Sequence, residues 1–494
     1  MMKRLVWLLP FFVHGCGGSS QPAAAPTPPS GSIDVPASAP ATAPEPVRAT
    51  VWLSTYDGSQ RLAKQQAIEF SQQSASAPDA ITIDIDETRT FQTMAGFGAA
   101  LTESSAWLIG TRLSPEQRDT LMTRLFDEHE GIGLSQMRHG IGATDFSLKS
   151  YTYSDASSEE HTTNAPPPFT IEAERSYVLP LMKQALSLNP DLRIMGTPWS
   201  APAWMKANGA LNGGALRPEM YAAFANYLVD YLRAFAEEGV PIDSMTVQNE
   251  PLHESPSYPS MRMEAHEQAD FIGNHLGPAL LQADLDTRVF VFDHNWDRPE
   301  FPIQVLDHAG ARQFAAGTAF HCYAGDVSAQ SRVYELHPDK EIRLTECTGS
   351  MGSDFGSDMH WWMRNLFIGG MRNWASAVLM WNLALDESSG PHNGGCTNCR
   401  GVVTIDQATG NVTYNGEYYA LGHASLAARP GASRIESSHS DGAIDSVAFL
   451  NPDGSKGLLL LNQRSEPTPV TIRWQGQSAN YDLPAQAVVT LRWP

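Results

Sequence analysis

Two glutamates follow short apolar runs, and their placement is the strongest chemical signal in this sequence. Glu250 ends the run Met245–Glu250, and Glu346 ends the run Ile342–Glu346. A strand-sized apolar run that ends in a carboxyl group presents this group at the rim of a sheet rather than in its core. Two carboxyl groups that meet at one rim could cleave a glycosidic bond, one as acid and base and the other as nucleophile or activator of water. A single glutamate is more often a surface charge, so the assignment depends on the elements around the pair.

Strand-like runs alternate with helical patterns between residues 93 and 410, and this alternation predicts an α/β fold. The clearest helical pattern is an apolar stripe from Met220 to Phe235, opened by Pro218 and closed by Gly239. Eight strand and helix units over this length predict a (β/α)8 TIM barrel, whose catalytic groups lie at the carboxyl ends of its strands. The predicted strands span residues 94–98, 134–139, 193–198, 244–249, 288–293, 317–322, 342–346 and 376–381.

Both ends of the ordered chain have strand patterns without a helical period. Residues 48–92 include the alternating run Ile81–Asp86, which is typical of a strand with one wet face. Residues 411–494 include a predicted hairpin, in which turn-forming residues at 451–454 separate two apolar runs. We therefore expect an accessory β-sandwich domain formed by both chain ends, beside a catalytic barrel at residues 93–410.

The first residues are typical of an export signal. Lys3 and Arg4 precede the apolar stretch Leu5–Val13, which is too short to span a bilayer as a helix. Cys16 follows in a context that resembles a bacterial lipobox, in which the cysteine becomes the lipidated first residue of the mature protein. Because His14 is unusual in such a signal, plain secretion remains the alternative.

These features predict how the N-terminal region is organised and where the protein acts. Residues 1–15 are the predicted signal peptide, Cys16 is the predicted lipidation site, and residues 16–47 form a Pro/Ala-rich linker. We expect an extracytoplasmic protein, either a lipoprotein of the bacterial cell envelope or a secreted one. Contact with a membrane is expected only through the lipid anchor.

Composition and charge exclude several classes of function. The 494 residues carry a net charge of −21, which disfavours nucleic acid and polybasic docking to anionic lipid. Gly96-Phe-Gly98 lacks the third glycine and the context of a dinucleotide site, and the sequence has no phosphate-binding glycine loop. No clustered set of metal ligands is evident either, so we expect neither a metal nor another cofactor.

Four further cysteines lie in the predicted barrel. Cys396 and Cys399 have CxxC spacing, but a zinc site needs four ligands and no second pair of this kind occurs. A small disulfide is the favoured interpretation, and free thiols are the alternative. Cys322 and Cys347 follow adjacent predicted strands and are also placed to pair.

Several motifs occur in a fixed order and together carry a family resemblance. They are Gly96–Glu103, Arg138 followed by Asp145–Tyr153, Pro198–Lys206, Asn249–Pro251 and Trp381–Leu385. In this order they resemble glycoside hydrolase family 30, the group that includes glucosylceramidases, from about residue 48 to the chain end. The resemblance implies a barrel with a side β-sandwich built from both chain ends, in agreement with the strand patterns.

The resemblance also implies a retaining mechanism with divided roles for the two glutamates. Glu346 would be the nucleophile, and Glu250 would protonate the leaving oxygen and later deprotonate water. This division requires carboxyl groups about 5–5.5 Å apart. It also leads us to expect that apolar and anionic surroundings keep Glu250 protonated, while hydrogen-bond donors keep Glu346 ionised.

The resemblance implies four further contacts with the sugar. Asn249 would bind the 2-hydroxyl, although it could simply cap the strand end. Asp145 would accept hydrogen bonds from outer hydroxyls, with a helix or turn cap as the alternative. Trp199 and Trp381 would wall the sugar, with core packing as the rival interpretation.

Three more residues are expected to support the nucleophile. Arg138 would keep it charged through an ion pair, although a purely structural salt bridge would use the same residue. His321 ends the sixth predicted strand. Tyr323, two residues later, is a further predicted substrate-binding residue and would also hydrogen-bond the nucleophile. The sequence departs from the glucosylceramidases at the cysteine that follows Glu346 and in the loop 386–396, which would shape the leaving-group end of the pocket.

These observations favour a retaining β-glycosidase whose substrate is a β-glucoside, a glycolipid or a β-glucan. We expect glucosylceramidase-type activity first, and a β-1,6-glucanase or β-xylosidase of the same family as the alternative. A glycan-binding surface lipoprotein without turnover is the non-enzyme alternative. The presence of both glutamates together with Asn249 argues against it, because a binding module needs no nucleophile.

Overall fold

The computed structural model describes residues 17–18, 23–25, 46–72, 79–155, 167–438 and 442–494. The predicted signal peptide, the lipidation site Cys16 and most of the predicted linker lie outside these residues. The chain divides into the units Met1–Glu45 and Pro46–Pro494, and all of the helices and strands described below belong to the second unit.

Strands and helices alternate through the middle of this unit, as the sequence predicts. The strands are β1 (Arg48–Ser54), β2 (Ala63–Glu69), β3 (Ile81–Thr93), β4 (Gly96–Ala100), β5 (Gln136–Ile141), β6 (Arg193–Pro198), β7 (Ser244–Thr246), β8 (Arg288–Asn295), β9 (Ala315–His321), β10 (Glu341–Glu346), β11 (Gly349–Ser350), β12 (Ala375–Met380), β13 (Ala384–Asp386), β14 (Cys399–Arg400), β15 (Val403–Ile405), β16 (Val412–Tyr414), β17 (Ser433–Ser437), β18 (Ile444–Leu450), β19 (Lys456–Asn462), β20 (Thr468–Trp474), β21 (Gln477–Leu483) and β22 (Val488–Trp493).

The helices lie mainly between the strands of the middle region. The α-helices are α1 (Glu103–Arg112), α2 (Pro115–Phe126), α3 (Val178–Leu188), α4 (Tyr221–Glu237), α5 (Ala265–Phe271), α6 (Gly277–Gln282), α7 (Glu300–Asp307), α8 (Ala309–Arg312), α9 (Ala329–Leu336), α10 (Phe355–Trp362), α11 (Ile368–Arg372) and α12 (Gly416–Ala427). Short 3₁₀ turns occur at Glu172–Arg175, Ala203–Met205 and Pro218–Met220, and π-helical turns at Ile272–Leu276 and Met363–Phe367.

Eight parallel strands close into a barrel in the order β10-β12-β4-β5-β6-β7-β8-β9. The circle closes where β12 pairs in parallel with β4. Each of the eight strands overlaps one of the eight predicted segments, and α4 contains the predicted apolar stripe, whose members Phe224, Leu228 and Phe235 are buried. The predicted (β/α)8 barrel is therefore confirmed.

The two chain ends together form the accessory β-sandwich, as expected. Nine strands follow one another in the order β2-β1-β22-β19-β18-β17-β3-β20-β21. Strand β3 links the two layers, because its first residues pair in parallel with β20 and its later residues pair antiparallel with β17. The predicted hairpin is confirmed by the antiparallel pairing of β18 with β19. Side chains such as Val51, Ile83, Leu460 and Leu491 fill a core that is separate from the barrel core.

The structure differs from the expectation of an all-β region after residue 410. Helix α12 follows that boundary and packs against α10 and β4 of the barrel as well as against β19 and β22. Its buried residues include Ala420, Leu421 and His423, and they surround nearly the whole helix. A helix that is buried on all sides has no amphipathic stripe, so its sequence carries no helical period.

No helix among the described residues combines the length and the apolar character that a transmembrane segment requires.

Candidate active site

The two glutamates lie at the same rim of the barrel but on different kinds of backbone structure. Glu346 is the last residue of β10 and is 6% exposed. Strand β7 ends at Thr246, earlier than predicted, and Glu250 follows in a turn with φ of +47°. The backbone N–H of Glu250 donates to the carbonyl of Asp293 at 3.0 Å, which holds this turn against β8. A left-handed backbone at a residue with a side chain is unfavourable and is typical of functional sites.

The carboxylates of Glu250 and Glu346 face one another across one cavity. An oxygen of Glu250, an oxygen of Glu346 and a ring nitrogen of His321 all lie within 4.8 Å of one another. Both glutamates line a cavity of about 440 Å³. Retaining glycosidases have carboxyl groups about 5–5.5 Å apart, and inverting enzymes have them about 6.5–9.5 Å apart. The observed approach is below the inverting range and agrees with the retaining separation.

Arg138 is the cation at the centre of the site. It is buried, comes from β5, and its guanidinium donates to the carboxylate of Glu346, to Asn249 Oδ1 at 2.7 Å and to Asp293 Oδ2 at 2.9 Å. Burial alone would lower the pKa of Arg138, but the charges of Asp293 and Glu346 outweigh it and raise this pKa above its usual value. Arg138 therefore remains charged and orients both the nucleophile candidate and the amide of Asn249.

His321 bridges two carboxylates and lies at the end of β9. Its Nδ1 is 3.1 Å from Glu250 Oε1, and its Nε2 is 3.1 Å from Asp293 Oδ1. Burial opposes a charge on the ring, but the carboxylates of Glu346, Asp293 and Glu250 raise the pKa of His321 to about 10. With protons on both nitrogens, His321 donates a charge-assisted hydrogen bond to each of the two carboxylates.

The structure contradicts the expectation that Glu250 is held protonated by its surroundings. Burial does raise the pKa of Glu250, but the hydrogen bond from His321 and the charges of His321, His294 and His253 outweigh burial and lower this pKa to about 2. In the free site the proton of the hydrogen-bonded pair therefore lies on His321. Sequence reasoning missed this because it did not bring His321 into contact with Glu250.

The two predicted tryptophans pack together as well as lining the cavity. The rings of Trp199 and Trp381 stack with their centroids 5.2 Å apart, and the Arg138 guanidinium lies 5.0 Å and 5.4 Å from these centroids. Both side chains are almost fully buried, in a cluster with Phe146 and Cys399. Sugar binding and core packing are therefore compatible functions of these rings.

Asp145 and Tyr323 contribute polar groups to the cavity wall. Burial raises the pKa of Asp145 well above its usual value, and the charges of Glu346 and Glu250 add to this effect. Asp145 lines the cavity beside both glutamates, which places its carboxylate within reach of the hydroxyls of a bound sugar. The Tyr323 hydroxyl donates to Glu346 Oε1 at 2.9 Å, in the position that the family resemblance implies.

Two disulfides border the site. Cys396 and Cys399 are joined, and both line the cavity. Cys322 and Cys347 are also joined, with 5.4 Å between their Cα atoms. The loop that carries Cys396 reaches Asp145, because the N–H of Asn393 donates to the Asp145 carbonyl at 2.7 Å.

Sequence reasoning missed Asp293, which is fully buried and holds the network together. Asp293 accepts from Arg138 and His321, and also from Thr345 at 2.6 Å and Thr246 at 2.7 Å. Burial opposes its charge, but Arg138 and His321 outweigh this effect and lower its pKa strongly. The signal was present, since Asp293 ends the fifth predicted strand just as Glu346 ends the seventh. Other cavity residues that were not predicted are His253, Tyr258, His294, Asn295, Thr348, Ser350 and Asn398.

Paired carboxylates at one rim of a closed (β/α)8 barrel are the arrangement expected of a glycoside hydrolase, and comparisons with known proteins identify the family. Residues 94–427 match the glycosyl hydrolase family 30 TIM-barrel domain, and residues 431–491 match the family 30 β-sandwich domain. The chain belongs to glycosyl hydrolase family 30. The barrel match ends with α12, beyond the boundary predicted at residue 410.

Two kinds of relatives stand out among the similar proteins. An endo-1,6-β-D-glucanase of Aspergillus fumigatus is 35% identical over 438 residues, covering 83% of this chain and 87% of that protein. The lysosomal acid glucosylceramidase of Mus musculus is 27% identical over 440 residues, covering 85% of this chain and 84% of that protein. Among solved structures, the endo-β1,6-glucanase BT3312 superposes with a TM-score of 0.83 and 31% identity, covering 90% of this chain and 99% of that one.

Proposed function

We propose that this protein is a retaining endo-β-1,6-glucanase. The observation that carries the proposed chemistry is the approach of the Glu250 and Glu346 carboxylates to within 4.8 Å. The similarity to endo-1,6-β-glucanases is higher than the similarity to a glucosylceramidase, which supports the glucanase over the glucosylceramidase that we expected first.

In the first step a Glu346 oxygen attacks the anomeric carbon, and the bond from this carbon to the leaving oxygen breaks. Arg138 and Tyr323 hold the two oxygens of the nucleophile, so it is positioned before the sugar arrives. The leaving oxygen takes a proton from Glu250. In the second step Glu250 removes a proton from water, which attacks the anomeric carbon and releases Glu346.

The proton for the first step is stored on the His321–Glu250 pair. His321 Nδ1 lies 3.9 Å from Glu346 Oε1, and the negative charge of Glu346 is one cause of the high pKa of His321. When Glu346 forms its bond to the sugar, this charge disappears. His321 then holds its proton less tightly, and the 3.1 Å hydrogen bond gives the proton a direct path to Glu250.

The cavity walls support a sugar rather than a lipid on the leaving-group side. Around Glu250 the cavity is lined by the polar side chains of His253, His294 and Asn295. Large hydrophobic side chains that are exposed in the described part of the chain are Leu148, Leu281, Tyr323, Leu336, Met351 and Trp361, and of these only Tyr323 lines the cavity. A ceramide would need a contiguous apolar surface next to the scissile bond, whereas a second glucose needs hydrogen-bonding groups.

The test is a comparison of hydrolysis rates on four substrates. We expect fast cleavage of β-1,6-glucan, slower cleavage of short gentio-oligosaccharides, and little cleavage of β-xylosides or of glucosylceramide in detergent. Early release of oligosaccharides of mixed length would support endo action. Faster cleavage of glucosylceramide than of β-1,6-glucan would overturn the glucanase proposal in favour of the glucosylceramidase. Tight glycan binding without turnover of any substrate would favour the binding protein.

We further propose that the protein acts outside the cytoplasm on a lipid anchor at Cys16. The N-terminal sequence pattern supports this location, and two disulfides are compatible with an oxidising compartment. In cells that process lipoproteins, Cys16→Ser should move the mature protein from the membrane to the soluble fraction, while Ser19→Ala should not. A Cys16→Ser protein that stays in the membrane fraction would disprove the anchor.

A further inference from the structure

The disulfide between Cys322 and Cys347 lies directly between the residues that hold the two catalytic carboxylates. Cys322 separates His321, which contacts Glu250, from Tyr323, whose hydroxyl contacts Glu346. Cys347 follows Glu346 in the chain. One covalent link therefore joins the residue after the nucleophile to the short segment that contacts both glutamates.

Backbone pairing between β9 and β10 stops at the same place. The parallel register is regular from Glu341 to Leu344, shifts before Glu346, and ends with the pair Glu346 and His321. Beyond that pair the strands have no further ladder, so hydrogen bonds between them no longer fix the distance from Tyr323 to Glu346. The disulfide, one residue beyond this pair on each strand, is the next connection between the two segments.

Cys347 also positions the wall of the sugar site. Its carbonyl accepts a hydrogen bond from the backbone N–H of Trp381 at 2.7 Å. Trp381 stacks on Trp199 and lines the cavity together with the nucleophile. Movement of Cys347 would therefore shift Glu346 and Trp381 together, relative to Tyr323 on the other side of the disulfide.

We propose that the disulfide of Cys322 with Cys347 is a positioning element for catalysis, which sets the placement of Tyr323 and His321 relative to the two carboxylates. Cutting it would lower the turnover of a folded enzyme. This inference rests on the proposed retaining mechanism. Misplacement of reacting groups by about 1 Å can lower a rate by about 100-fold, so a loss of about 10- to 100-fold in kcat is expected.

The pair Cys396 and Cys399 offers an internal contrast. It closes a loop of only a few residues in the cavity wall, and neither cysteine is adjacent in sequence to a residue that contacts Glu250 or Glu346. Loss of this disulfide should therefore weaken substrate binding, seen as a higher KM, more than it slows the chemical step.

The experiment compares the double variants C322S/C347S and C396S/C399S with the unchanged protein. Each is assayed on an activated aryl β-glucoside, and the rate at which a 2-deoxy-2-fluoroglucoside labels Glu346 is measured beside the thermal melting curve. For a folded C322S/C347S enzyme we expect kcat and the maximal labelling rate to fall about 10- to 100-fold, with KM within about threefold. Unchanged kcat and labelling in this folded variant would overturn the proposal. An unchanged protein that cleaves neither the aryl glucoside nor β-1,6-glucan would instead count against the proposed function itself.

Reduction of the native protein provides a second measurement if C322S/C347S does not fold. A dithiol attacks the sulfur of Cys322, which is 9% exposed against 1% for Cys347, and Cys347 leaves as a thiolate. The second thiol of the reagent then releases Cys322, so two protein thiols form and the dithiol becomes a cyclic disulfide. Activity should fall in step with alkylation of Cys322 and Cys347 in parallel samples, identified by mass spectrometry. Full activity after that pair has been reduced in folded protein would overturn the proposal.

Discussion

The two proposed catalytic carboxylates lie within 4.8 Å of one another, yet the protein holds them by different means. Glu346 ends a barrel strand, and its hydrogen-bond donors are Arg138 and Tyr323. Glu250 lies beyond the end of its strand in a left-handed turn, and its hydrogen-bond donor is His321. A guanidinium keeps its charge over the whole working pH range, whereas an imidazolium can give up its proton.

This difference separates the two functions. A nucleophile needs a constant negative charge and a fixed position, and the ion pair from Arg138 would give both to Glu346. The acid and base must exchange one proton in each half of the reaction, and a histidine at 3.1 Å can take part in that exchange. Asp293 connects the two halves, because it accepts hydrogen bonds from both Arg138 and His321. Each prediction below removes one group from one half of the site.

The largest effect is expected from removal of the nucleophile. Glu346→Ala should lower kcat on an aryl β-glucoside by about 10⁴-fold or more, because no covalent intermediate can form. Azide should restore turnover and give the α-glycosyl azide, identified by NMR, since it attacks the substrate directly from the vacated face. The exposed Glu219→Gln serves as the control and should retain full activity. A β-glycosyl azide from Glu346→Ala would show that the roles of the two glutamates are reversed.

A smaller effect that depends on the leaving group is expected at the other carboxylate. Glu250→Ala should slow β-1,6-glucan hydrolysis by about 10²- to 10⁴-fold, because general acid catalysis contributes that much for a poor leaving group. With a dinitrophenyl glucoside, formation of the glycosyl-enzyme should hardly change, and azide should give the β-glycosyl azide. An equal loss on both substrates would contradict the assignment of Glu250 as the proton donor.

The sequence predicts the nucleophile half of this site better than the acid half. Glu346 is the end of an apolar strand that pattern analysis can find, and the resemblance to family 30 places Arg138 and Tyr323 beside it. The proton on His321 could not be predicted, because it depends on the meeting of His321 at the end of β9, Asp293 in β8 and Glu250 in the turn after β7. Local sequence specifies a strand and its end, but the protonation of a buried pair depends on the sum of all nearby charges.

The same distinction applies to the fold. Strand β6 was predicted at its observed limits, because a short apolar run bounded by polar residues and turns is a local signal. Helix α12 was missed because its small residues, such as Ala420, Gly422 and Ala424, are buried on every side and leave no periodic pattern. Its helical state is specified by the barrel and sandwich strands that enclose it.

Removal of His321 should change the pH dependence of the acid half. In the unchanged enzyme the pair of His321 and Glu250 keeps its shared proton until the pH rises through the His321 pKa of about 10. In His321→Gln the proton can reside only on Glu250, whose pKa is no longer lowered by the imidazolium but stays far below 10. The alkaline limb of the pH profile of kcat/KM reports the pKa of the group that holds the catalytic proton. Because this group changes from His321 to Glu250, the limb should move to lower pH by about 2 units or more.

The matched control for this shift is His266→Gln, which alters an exposed histidine on α5. It should leave the pH profile unchanged. If His321→Gln also leaves the alkaline limb in place while its melting curve shows a folded protein, the proposal that His321 holds the catalytic proton is wrong. A loss of activity that is equal at every pH would point to a structural function for His321 instead.

The smallest effect is expected at Tyr323, where the nucleophile half keeps a second donor. Tyr323→Phe removes the hydrogen bond to Glu346 Oε1 but leaves the ion pair from Arg138 to Oε2 intact. A hydrogen bond to a charged group contributes about 1.5–3 kcal/mol, which corresponds to a loss of about 10- to 100-fold in kcat. Since Arg138 remains, we expect a value at the lower end of that range and little change in KM. A loss as large as that of Glu346→Ala would mean that Arg138 alone cannot hold the nucleophile, and that the two halves of the site are less different than their hydrogen bonds indicate.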